Sequence, residues 1–128
     1  VAGLHRDAEG NPRRSVRLFR RDGVVDLGAL EALLAGEDTP ALVSVMLANN
    51  ETGVIQPVRE IAALVKAEGG VLVVHAVQAL GRIPIDITDG CGDYLILSSH
   101  KIGGPKGAGG VAMLASYAKE NSPRKNRL

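Results

Sequence analysis

Lys101 closes a buried apolar run and opens a glycine-rich loop, in the stretch Ser98-Ser99-His100-Lys101-Ile102-Gly103-Gly104-Pro105-Lys106-Gly107. Lysines seldom sit against a core without a role. When desolvated or flanked by cations, the amine has a lowered pKa and is free to condense with an aldehyde as a Schiff base. Ser98 and His100 put a hydroxyl and an imidazole beside it, and both suit a phosphate group. The alternative is a strand-end lysine that snorkels to solvent. The loop itself, GGPKGAGG, lacks nucleotide P-loop spacing, because Lys106 precedes Gly107 rather than Ser or Thr.

The elements that must position these residues alternate between short β-branched runs and longer amphipathic stretches, the pattern of βα units on a largely parallel sheet. Ala41 to Ala48, Val71 to Val74 and Tyr94 to Leu97 are the best strands, and Gly110 to Leu114 is a fourth. Each of the first three is almost continuously apolar, as expected where helices cover both faces of a sheet. Asp26 can cap a helix with Leu27, Leu30, Leu33 and Leu34 on one face, closed by Gly36. A second helix starts near Pro57, carries Ile61, Leu64 and Val65, and stops at Gly69. As the crossover between the first two strands, it should leave their carboxyl ends on one edge, where open α/β sheets bind ligands. Asn49-Asn50-Glu51, His75-Ala76-Val77-Gln78 and Ser98-Ser99-His100-Lys101 follow the three strands. The sequence therefore predicts that three strand ends deliver polar groups to one place.

Composition narrows the field further. A chain of 128 residues fits one α/β unit, and 15 basic against 14 acidic residues give no global field for nucleic acid or an anionic membrane. Arg13, Arg14, Arg17, Arg20 and Arg21 cluster near one end, and Lys119, Arg124, Lys125 and Arg127 near the other. Without aromatics for base stacking, both groups read as solvated surface. The single cysteine, Cys91, excludes an internal disulfide and a multi-cysteine metal site, which fits a reducing cytoplasm. No apolar run is long enough to span a bilayer. Residues 115–128, polar and proline-interrupted, are expected to fray, and a chain opening on Val1 reads as the middle of something longer.

The segments ALVSVMLANNETGVIQPV, HAVQALGRIPIDI and LSSHKIGGPKGAGGV resemble the core of the cysteine desulfurases, in the class V aminotransferase group of fold-type I pyridoxal-phosphate enzymes. The resemblance runs from about Asp22 to Met113, with 28 residues from Asn50 to Gln78 and 23 from Gln78 to Lys101. It implies that residues 1–128 are part of the large, cofactor-binding domain of that fold. By the same resemblance, Lys101 holds pyridoxal phosphate covalently and shuttles protons at the substrate, while Ser98 and His100 bind the phosphate. Gln78 hydrogen-bonds the phenolic oxygen of the ring, and Asn50 contacts the ring-oxygen side or the substrate carboxylate. Asn50 and Gln78 have a simpler alternative, that of tying down loop backbone.

One position departs from the family pattern. Where relatives carry an aspartate that keeps the pyridine nitrogen protonated, this chain has His75. A neutral imidazole accepts a hydrogen bond there but supplies no negative charge. A structural histidine at a strand end is the other reading. No counterpart of the family's ring-stacking histidine or sulfur-accepting cysteine is recognisable: His5 lacks the surrounding pattern, and Cys91 reads as a buried bystander thiol. The implied activity is removal of sulfur from L-cysteine, giving L-alanine and an enzyme-bound persulfide for iron–sulfur cluster assembly or another sulfur-acceptor protein. The isolated segment is expected to be poorly active, and full-length relatives are homodimers. Selenocysteine lyase or aminotransferase chemistry shares the same core motifs, and a non-catalytic remnant is the rival outside enzymes.

Overall fold

The computed structural model describes residues 18–114. Their elements run α1 (Leu27–Leu34), β1 (Leu42–Met46), α2 (Val58–Ala67), β2 (Val71–His75), β3 (Tyr94–Ser98) and β4 (Gly109–Met113), with 3-10 turns at Ile87–Asp89 and Ser99–Ile102. The expected tail at 115–128 and most of the first basic cluster lie outside the described residues.

The helices start and stop for identifiable reasons. The Asp26 carboxylate accepts the Ala29 amide at 3.0 Å, satisfying one donor of the first turn. At the other end of α1, the Gly36 amide donates to Leu33 at 3.3 Å, so Gly36 closes the helix through its N–H and without a left-handed turn. Gly69, by contrast, ends α2 in the left-handed region, at a φ of 67°. Leu30 and Leu34 of α1 pack with Val58, Ile61 and Val65 of α2 against the sheet.

The four strands lie side by side in chain order. β1, β2 and β3 are parallel, and β4 returns antiparallel to β3. Alternation along each strand sorts the residues into two faces. Val45, Leu47, Leu72, Val74 and Leu95 are buried beneath the helices in one core. The opposite face is different from the sequence expectation. It carries Leu42, Met46, Val111 and Met113, all exposed, and no helix among the described residues lies over it. Near-continuous apolarity predicts helices over both faces, and among the described residues the helices cover one.

Buried polar groups tie the outlying segments to this core. Gln56 accepts the Val25 amide through Oε1 at 2.9 Å and donates through Nε2 to the Gly23 carbonyl at 2.8 Å, so both halves of its amide are satisfied. Asp93 accepts the Leu72 amide at 2.7 Å, locking the start of β2 to the residue before β3. The Gln56 bonds anchor the segment before α1, and the Asp93 bond fixes β2 beside β3.

Candidate active site

Because β1, β2 and β3 run parallel and adjacent, their carboxyl ends form one edge. Asn50 follows β1, His75 ends β2 with Gln78 in the next turn, and Ser98 ends β3 with His100 and Lys101 on the 3-10 turn beyond. All six predicted residues therefore belong to a single rim.

The turn that carries Lys101 is held from several sides. The Ser99 hydroxyl reaches the carbonyl oxygens of Pro105 at 2.5 Å and Ala108 at 2.9 Å, while its amide also donates to Ala108 at 3.1 Å. Its own carbonyl accepts the Gly104 amide at 2.9 Å. Gly104 must be glycine for this closure, since a Cβ there would stand 2.7 Å from Ser99 Cβ. The glycine-rich loop is thus a strap folded back on Ser99, with Lys101 and Lys106 both exposed.

Ser98 Oγ lies 2.7 Å from His100 Nδ1. In one tautomer the serine donates and leaves the Nε2–H to face an anion. In the other the imidazole donates and frees the hydroxyl hydrogen. Either arrangement keeps a donor for phosphate.

At the end of β1, Asn49 does the structural work and Asn50 is left exposed. The Asn49 side chain accepts the amides of Glu51 at 2.8 Å and Thr52 at 3.0 Å, and its backbone bridges to Val54 and Gly53. His75 pairs in register with Met46 on β1 and Ile96 on β3. Its Nδ1 is buried and has no hydrogen-bond partner among the described residues. Buried polar atoms are nearly always paired, so an unpaired ring nitrogen at a ligand edge fits a site that an acceptor or donor of a bound group completes. Gln78 is engaged by Arg82, whose Nη1 donates to the Gln78 carbonyl at 2.8 Å and to its Oε1 at 3.2 Å.

Two residues at this rim escaped the sequence reading, Ser99 and Arg82. Ser99 sat unremarked between two assigned neighbours. Arg82 carried a usable signal, since it lies four residues after Gln78 in a stretch with helical-turn hydrogen bonding from Ala76 to Ile83.

Cys91 lies apart from the rim. It is 6% exposed, its thiol donates to the Asp86 carbonyl at 3.1 Å, and desolvation by burial raises its pKa above the ordinary thiol range. It lines a cavity of about 230 Å³ with Leu47, Ile55 and Ile85 that includes none of the six candidate residues.

Comparison with known proteins gives this chain its family. The model for aminotransferase class-V matches residues 14–125, and the chain belongs to that family. A cysteine desulfurase of Nostoc sp. is 47% identical over 89 residues, covering 70% of this chain and 22% of that protein. Cysteine desulfurase IscS of Anaeromyxobacter sp. is 46% identical over 91 residues, with 71% and 22% covered. Among solved structures, a NifS-like protein from Rickettsia africae aligns with a TM-score of 0.67 at 43% identity, over 70% of this chain and 25% of that one. The apo structure of a cysteine desulfurase from Thermococcus onnurineus aligns at 0.66 and 30% identity, over 77% and 24%. The chain spans about a fifth to a quarter of the length of these relatives.

Proposed function

We propose that this chain forms part of the pyridoxal-phosphate site of a cysteine desulfurase, within the large domain of its fold, and that Lys101 carries the cofactor. The observation behind the reading is the shared rim, where one exposed lysine, a serine–histidine pair and an unpartnered ring nitrogen end three adjacent parallel strands. Pyridoxal phosphate, when bound, supplies an electron-withdrawing ring that lets the substrate's α-carbon give up its proton.

The residues of the chain would divide the remaining work. Lys101 Nζ would hold the cofactor and would serve as the base that moves protons at the substrate's α-carbon and at the product carbon. Ser98 and His100 would hold the phosphate. Gln78 would donate to the phenolic oxygen, Asn50 would serve the same oxygen side or the substrate carboxylate, and His75 Nδ1 would serve the ring nitrogen. L-Cysteine then becomes L-alanine as its C–S bond breaks and the sulfur passes to an acceptor thiol as a persulfide, the form used in iron–sulfur assembly. Cys91 is no candidate for that acceptor, because its thiol is buried and bonded to a backbone carbonyl. The single cysteine fits a cytoplasmic setting, and among the described residues no helix is long and apolar enough to cross a membrane.

The test is borohydride trapping of the chain incubated with pyridoxal phosphate, followed by peptide mapping. A yellow band that borohydride bleaches, with the label on Lys101, is the expected result. Label mainly on Lys106, or spread over surface lysines, would overturn the assignment.

A further inference from the structure

Arg82 donates through one nitrogen, Nη1, to two oxygens of Gln78, its backbone carbonyl and its side-chain Oε1. A guanidinium has donors and no acceptor, so only the oxygen of the carboxamide can face it. The orientation of the Gln78 amide is therefore chemically determined, and its Nε2 amino group points away from Arg82 with no acceptor bonded to it among the described residues. Gln78 is half-buried in the turn after β2, next to the strand end that presents His75.

We infer that Arg82 is a positioning residue: by taking Oε1, it turns the Gln78 carboxamide so that the amino group is the donor offered at the strand edge to an oxygen of the bound cofactor. The inference rests on the reading of this rim as a cofactor site. Without Arg82 the amide is free to flip, and a flipped amide would set its carbonyl against an electron-rich oxygen. The guanidinium also makes the bond charge-assisted, polarising the amide so that its N–H becomes a stronger donor. Both effects act through Gln78 and should vanish when Gln78 is absent.

The experiment uses a full-length protein carrying this segment in two measurements. In the cofactor-free, nitrogen-15-labelled protein, the Gln78 side-chain amide pair is followed in Arg82→Ala and Arg82→Lys. Arg82→Ala should shift that pair, and Arg82→Lys, which keeps a donor, should restore part of the original position. An unmoved pair in Arg82→Ala would overturn the inference. Pyridoxal-phosphate affinity is then measured from the visible band in a double-mutant cycle. Arg82→Ala should weaken binding by about 5- to 10-fold in the native background, the scale of one hydrogen bond, and by less than about 2-fold in Gln78→Ala. Equal losses in both backgrounds would mean that Arg82 acts through its charge alone, and would overturn its positioning role. No visible band from the unsubstituted protein would instead overturn the cofactor reading and, with it, the use assigned to the donor.

Discussion

His75 Nδ1 and Cys91 Sγ show how differently two buried polar atoms can stand. His75 Nδ1 has no partner, and the physical cost of such an atom, roughly 1–3 kcal/mol, is one that a bound group would relieve. On the proposed reading of this rim, an aspartate at this position would offer the ring nitrogen a full negative charge, at some cost to the empty fold. In a full-length protein carrying this segment and saturated with cofactor, His75→Asp should therefore raise alanine formation from cysteine by ten-fold or more, about 1.4 kcal/mol of transition-state stabilisation. An unchanged or lower rate would show that His75 does not face the ring nitrogen. Cys91 carries the opposite signature, a satisfied thiol whose pKa burial pushes up. The folded state then favours the protonated thiol, so this contribution to stability is fully present below the ordinary thiol pKa of about 8.5 and is lost as pH rises through the folded value. Urea midpoints should fall with pH in that alkaline window, and Cys91→Ala should flatten the slope.

At the scale of elements, the strap from Gly103 to Ala108 shows what the sequence could and could not disclose. Strand and helix positions were legible because their signals are local: the Asp26 cap, the apolar stripe of α1, Gly69 after α2 and the β-branched runs all appear where expected. The shared rim was legible as well, since parallel strands leave their carboxyl ends no other place to go. What pattern could not convey was contact between residues several positions apart, such as Ser99 bonding Pro105 and Ala108, or a Gly104 chosen for lack of space. Cover of the second sheet face lies beyond what pattern conveys for a related reason, because apolarity states that a face wants burial and not which segment supplies it, and among the described residues the helices lie over one face. The strap can be tested directly. Gly104→Ala puts a Cβ 2.7 Å from Ser99 Cβ and 3.1 Å from its carbonyl oxygen, so the strap must open. We expect a loss of about 1–3 kcal/mol in urea unfolding, faster hydrogen exchange at Ser99 and Gly104, and a lower trapping yield at Lys101. Exchange indistinguishable from the native chain would show that the strap adapts at no cost.

At the scale of the whole molecule, the sheet face that no described helix covers governs behaviour in solution. Leu42 is 74% exposed and Val111 57%, and Met46 and Met113 share their face. Exposed apolar side chains on edge strands, unpaired on their outer sides among the described residues, promote association. The isolated chain should self-associate at micromolar concentration in sedimentation, and Leu42→Lys with Val111→Lys should shift it toward monomer. A native chain that sediments as a monomer at every concentration would remove the argument. The antiparallel return of β4 has a consequence of another kind, in the order of assembly. Ser98 pairs with Gly109 across ten intervening residues, whereas Leu42 must find Val71 across 28. Short closures form first, because less chain entropy is lost before contacts are gained. When the full chain refolds, the β3–β4 hairpin is thus expected to form before β1 pairs with β2, so that the turn of Ser98, His100 and Lys101, a phosphate site on the proposed reading, is in place before Asn50 and His75 dock alongside. A phosphate captured at that stage would act as a template on which the later strands complete the rim.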